Sequence, residues 1–98
     1  MHTIILDGKE YILRCDLNVV EAIEAKYGGI EAVYERAGEI SVIKFLVSAM
    51  INEHYYAVQS PDRVTENRVG MLMTAADVLP VMREVLAELS DCVTPKNV

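Results

Sequence analysis

Two short β-prone runs open the chain, Thr3-Ile4-Ile5-Leu6 and Tyr11-Ile12-Leu13, with Asp7-Gly8 between them as a strong hairpin-turn signal. The pattern predicts a β-hairpin over residues 2–14. Two strands cannot bury a face by themselves, so a helical layer is expected on one side, packed against Ile5, Tyr11 and Leu13. From there the apolar spacing changes from strand-like to helical and stays helical almost to the end of the chain.

Five helices follow from that spacing. Asn18 stands three residues before Glu21, the arrangement of an N-cap with its returning carboxylate, so a first helix is expected over 18–28. It would turn Val19, Val20, Ile23 and Tyr27 inward and end at Gly28-Gly29. A short second helix over 30–37 places Ile30, Val33, Tyr34 and Ala37 on one face and ends at Gly38. The third, over 41–56, is apolar apart from one narrow stripe of Ser41, Lys44, Ser48 and Asn52, which marks it as the central element, buried on several sides. A loop with a Ser60-Pro61-Asp62 turn leads to a short fourth helix over 65–73, capped by Thr65, weakened by Gly70, and with Val69, Leu72 and Met73 inward. Thr74 and Asp77 repeat the cap spacing before a last helix over 75–91. Its stripe of Val78, Val81, Met82, Val85, Leu86 and Leu89 opposes Arg83, Glu84 and Glu88, and Pro80 must sit in the first turn or kink the helix. Residues 93–98 read as a frayed tail. The expected fold class is α+β, mostly α: a single domain over 1–98 in which an N-terminal β-hairpin packs on a bundle of four to five helices.

Composition narrows the function classes. At 98 residues and 52 % hydrophobic, the chain has material for one core and not for two domains. Fifteen acidic against nine basic residues give a net charge of -6, which repels a phosphate backbone and argues against nucleic-acid binding. Cys15 and Cys92 are far apart in sequence and have no close-spaced partner, so they suggest neither a disulfide framework nor a zinc site, and a reducing cytoplasm is the expected location. The N-terminus lacks the basic and apolar regions of a signal peptide, and the longest nearly apolar stretch, 40–51, is too short to span a bilayer.

Candidate chemistry is sparse. His2 and His54 have no neighbour in sequence that makes a nucleophile or metal arrangement, and Glu53-His54 does not converge, because adjacent helical residues diverge by about a hundred degrees. Cys15 lies where a helix N-terminus can activate a thiol, yet Cys15 and Cys92 read first as small buried hydrophobes. The glycines stop helices and make no phosphate cradle. No catalytic residue, cofactor-binding residue or metal ligand is therefore expected, and the chain reads as a non-enzyme without a cofactor. Glu21, Glu24, Glu31, Glu35 and Glu39 follow the period of a solvated helix face, with steering of a basic partner as the alternative. Met71 and Met73, beside Gly70, are suited to an adaptable binding surface because the unbranched thioether repacks against different partners.

The run from Thr3 to Arg14, followed by Asp16-Leu17-Asn18 opening a Glu-rich helix through Glu24, resembles the start of small tail assembly chaperones of long-tailed bacteriophages and prophages. The resemblance extends through the helix from Ile43 to Glu53 and the Ala75-Ala76-Asp77-Val78-Leu79-Pro80 segment, and so covers nearly the whole chain. Its elements are structural and carry no catalytic signature. The loop after Tyr55-Tyr56, with Gln59-Ser60-Pro61-Asp62, is less acidic than the resemblance leads one to expect. The resemblance implies a non-enzymatic protein of the host bacterial cytoplasm that binds the tape-measure protein, and keeps it soluble, before the tail tube polymerises around it. It also implies a longer, frameshifted form whose added C-terminal part recruits tail-tube protein, for which the end at 91–98 would be the starting point. Self-association is left open, and nucleic acid and membrane are not expected partners. The protein-binding surface expected on this reading is a groove near Tyr55, Tyr56, Met71 and Met73, the alternative being that all four only complete the core. The alternatives are a small cytoplasmic bacterial adaptor or regulatory protein-binding domain and, last, a minor enzyme subunit or cofactor carrier.

Overall fold

Strands β1 (His2–Leu6) and β2 (Lys9–Leu13) pair antiparallel, His2 opposite Leu13 and Leu6 opposite Lys9. Asp7 and Gly8 link them with φ of 51° and 77°, the pair of positive angles that matches hairpin twist. A computed structural model describes residues 2–95 of the chain. The sheet buries Ile4, Leu6, Tyr11 and Leu13. Ile5, expected inward, points to solvent and is 64 % exposed. In a run of three apolar residues the pleat permits only one parity to face the core, and here it is Ile4 and Leu6.

Helix α1 (Leu17–Tyr27) begins one residue before the expected start. Its N-cap is Asp16, not Asn18: the Asp16 backbone is extended, and its Oδ1 accepts the Asn18 N–H at 3.1 Å. Val19 and Ile23 are buried, and Gly28 closes the helix in the left-handed conformation. Helix α2 (Ile30–Glu35) is shorter than its apolar spacing predicts. The chain leaves the helix at Arg36, so Ala37 falls in the following turn, and Tyr34 is exposed while Val33 alone is fully buried.

The centre of the molecule is α3 (Ile40–Ala57), as the sequence indicates. Val42, Ile43, Leu46, Val47, Met50 and Ile51 are all buried, and β2, α1, α4 (Glu66–Leu72) and α5 (Val78–Val93) pack around them. The polar stripe is used internally at two points. Ser48 donates to the carbonyl of Phe45 at 3.0 Å. Asn52 clamps the backbone of Val64, accepting its N–H at 2.7 Å and donating to its carbonyl at 2.8 Å, which turns the loop back onto the helix.

Thr65 caps α4 through the Arg68 N–H at 3.0 Å. The helix then runs back along α3, with Val64 beside Asn52 and Gly70 beside Lys44. A Cβ at Gly70 would stand 3.1 Å from Lys44 Cδ, so the glycine that weakens the helix also permits its close approach. Asp77 accepts both the N–H and the hydroxyl of Thr74, at 2.7 and 3.1 Å, closing a 3-10 turn at Ala75–Asp77 that feeds α5. Pro80 sits in the first turn of α5, where its missing N–H costs no helical bond. The helix continues to Val93, beyond the expected end near 91. Of the expected frayed tail, Val93 is thus helical, Thr94 and Pro95 are not, and residues 96–98 lie outside the described residues.

Candidate functional site

The open end of the hairpin is where polar chemistry collects. Glu88, expected on the solvated face of α5, is buried at 8 % exposure. Positions 81, 85, 88 and 92 share one helical stripe, so the carboxylate is carried inward with Val81 and Val85. One oxygen accepts the N–H of His2 at 3.2 Å and the other the N–H of Cys15 at 3.0 Å. A single side chain thereby ties the first residue of β1 and the residue that follows β2 to α5. Alongside, the Arg14 N–H donates to the carbonyl of Met50 at 3.1 Å and ties the same end of the hairpin to α3.

His2 has the inward parity of Ile4 and Leu6, and its ring meets α5. Nδ1 lies 3.1 Å from Glu84 and Nε2 2.9 Å from Asp91, two carboxylates more than eighty residues away in sequence. The hydrogen bond to Asp91, reinforced by that to Glu84 and opposed by slight burial, raises the imidazole above its usual value. A second carboxyl pair stands on the other side of the junction. Burial, followed by the hydrogen bond to Asp16, pushes the Glu53 carboxyl up. Burial acts upward on Asp16 too, but its hydrogen bonds with Glu53, Arg14 and backbone N–H groups outweigh it and hold Asp16 below the ordinary range. Among the described residues no set of three or more His, Cys, Asp or Glu side chains converges as a metal site.

Cys15 and Cys92, distant in sequence, line one open cleft of about 820 Å3 between the β2–α1 junction and the last turns of α5. Both are free thiols and half-buried. Burial first, and then the facing Cys92 thiol, push the Cys15 thiol well above its ordinary value, so Cys15 is not activated by the start of α1.

The four residues expected to form one protein-binding groove occupy two places. Tyr55 is half-buried and Tyr56 67 % exposed, both at the C-terminal end of α3, where Tyr56 stands near Arg63 and the Pro61 turn. Met71 is 68 % exposed on α4, and Met73 is half-buried against the core. Because α4 runs back along α3, Met73 lies near Ile40 and Ile43, some fifteen residues and therefore roughly 20 Å along the helix from Tyr56. The reversal of direction at Val64 separates the two pairs.

What Met73 does line is a small apolar groove of about 160 Å3, with Ile40, Ile43, Lys44 and Val78 as its other principal walls. Ile40 is 54 % exposed at its mouth, and Leu79, the next residue after Val78, is 60 % exposed. Val78 was expected in the inward stripe of the last helix and Ile40 just before the third, and the antiparallel return of α4 brings Met73 to both. His54 is half-buried near the end of α3, with its ring 6.2 Å from that of Tyr55. No helix among the described residues is long and apolar enough to cross a membrane. No family model matches the chain, and none of the curated proteins or solved structures compared with it is detectably similar.

Proposed function

We propose that this chain is a non-enzymatic tail-assembly chaperone that binds apolar helical segments of a tape-measure protein and keeps them soluble until the tail tube encloses them. The observation that carries the reading is the apolar groove between the start of α3 and the α4–α5 connection, with Ile40 exposed in its lining and Met71 and Leu79 exposed one residue along the chain from its lining residues Gly70 and Val78. A tape-measure protein is long and cannot bury its apolar stripe before the tube forms, so its partner needs an apolar groove that accepts many similar side chains. Methionine supplies that tolerance at Met71 and Met73. The charge of -6 keeps a coated complex from associating further. The binding surface on this reading is Ile40, Met71, Met73 and Leu79; Tyr55 and Tyr56, at the far end of α3, are outside it.

The test is co-expression with a tape-measure protein encoded alongside the chain. Ile40→Asp with Met71→Asp places charges at two exposed positions, so the double variant should keep the circular dichroism and Tm of the parent and lose co-purification at least tenfold. Unchanged co-purification by the folded variant excludes this surface. A parent that binds no tail protein counts against the chaperone reading and favours an adaptor for another partner.

A further inference from the structure

We propose that Cys15 and Cys92 form a reversible intramolecular disulfide that locks the hairpin–α1 junction to the C-terminal end of α5. Three observations bring the two cysteines to one cleft. The Glu88 carboxylate on α5 accepts the N–H of Cys15 at 3.0 Å, which ties the backbone of residue 15 to this helix through one side chain. Cys92 follows Glu88 by four residues, one helical turn, and so stands on the same face immediately beyond that contact. Both cysteines line the same cleft, and Cys92 is near enough to help push the Cys15 thiol up.

The surroundings also set the order of events. Burial first, and then the neighbouring Cys92, hold the Cys15 thiol protonated, so the first attack is assigned to Cys92, in the last turn of α5. With a low-molecular-weight disulfide such as oxidised glutathione as oxidant, the Cys92 thiolate attacks one sulfur of the oxidant and releases one glutathione thiolate, leaving a mixed disulfide. The Cys15 thiol then gives up its proton, which the released thiolate can take, and attacks the Cys92 sulfur. The second glutathione leaves as thiolate and is protonated in turn. Two cysteine thiols are oxidised and one oxidant disulfide is reduced to two thiols, so atoms and electrons balance.

The bond would join residues 77 positions apart and so close a large loop. Loops of that length lose much chain entropy in the unfolded state, and the oxidised protein is expected to melt on the order of 10 °C above the reduced one. The junction it pins is already held by the Glu88 carboxylate, so oxidation makes permanent a contact that the reduced fold maintains by hydrogen bonds. This proposal is independent of the chaperone reading.

The experiment is a redox titration of the full chain in glutathione buffers of graded ratio, with thiols trapped by alkylation and the products resolved by intact mass. The expected product is a monomer that has lost two hydrogens and both alkylatable thiols together, with the raised Tm, fully restored by dithiothreitol. Cys92→Ser and Cys15→Ser should each abolish that species and leave a single glutathione adduct at most. Stable glutathione adducts on both cysteines of the parent, disulfide-linked dimers as the main product, or an oxidised monomer that melts no higher than the reduced one would each overturn the proposal. The parent's own mass and Tm decide the matter even if a serine variant folds poorly.

Discussion

The carboxylate of Glu88 reaches the backbone N–H of Cys15 at 3.0 Å with one oxygen while the other takes the N–H of His2 at 3.2 Å. Both donors belong to the open end of the hairpin, so removal of this one side chain orphans two amides in a partly buried place. Glu88→Ala is expected to destabilise by about 1–3 kcal/mol, because hydrogen bonds to a carboxylate are among the stronger ones and the two half-buried donors regain water only in part. Glu88→Gln keeps one acceptor oxygen and should cost less. Urea melts of the three proteins check the order, and a Glu88→Ala variant as stable as the parent contradicts the clasp.

Ionisation of His2 adds a pH dependence. Its folded-state pKa is raised by Asp91 and Glu84, so its contribution is fully present below the ordinary histidine value of 6.5 and is lost as pH rises through the folded value. Glu84 and Asp91 are 44 % and 71 % exposed, so solvent screens the effect and salt weakens it. The Tm difference between the parent and His2→Asn should therefore be larger at about pH 5.5 than at about pH 8.5, and smaller in high salt. A difference that grows with pH contradicts the assignment.

Adjacent isoleucines in β1 give a direct test of the hairpin's facing. Ile4→Ala should cost about 2–4 kcal/mol, whereas Ile5→Ala, on the exposed side, should stay within about 0.5 kcal/mol of the parent. Reversed values would mean that the strand faces the other way. Leu46→Ala, at the centre of α3, belongs with Ile4 and is expected to cost about 2–5 kcal/mol.

Tyr27 carries a hydroxyl that is buried without a hydrogen-bond partner among the described residues, while its ring packs edge-on against Phe45 at 5.4 Å. Tyr27→Phe retains the ring contact and removes the unpaired polar atom. The expected outcome is a Tm equal to or somewhat above the parent's, corresponding to about 0–1 kcal/mol. A loss of more than about 1 kcal/mol would show that the hydroxyl is satisfied in solution.

These residues also show what could be read from the chain alone. Hairpin, central helix, the Thr65 cap and the place of Pro80 each rest on local rules, and each stands in the structure. Ile5 and Glu88 were misplaced because a local pattern does not decide parity in an apolar triplet, nor how wide a buried stripe becomes when a hairpin end leans on it. Asn18 lost its cap role to Asp16, an equally good acceptor two positions earlier. The site was least legible. The meeting of Cys15 with Cys92, of His2 with Asp91 and of Ile40 with Met73 depends on which helices run back along which, and nothing periodic in the sequence encodes those pairings.

The central claim is that the groove between α3 and the α4–α5 connection receives an amphipathic helix. Its most direct test is an NMR titration of the isotope-labelled chain with a helical peptide from a tape-measure protein. The account predicts saturable shifts of the amides of Ile40, Met73 and Val78 and of the Met71 methyl, with Tyr55 and Tyr56 unaffected. Shifts confined to the Tyr55–Tyr56 end, or a spectrum unchanged at peptide excess, would contradict it.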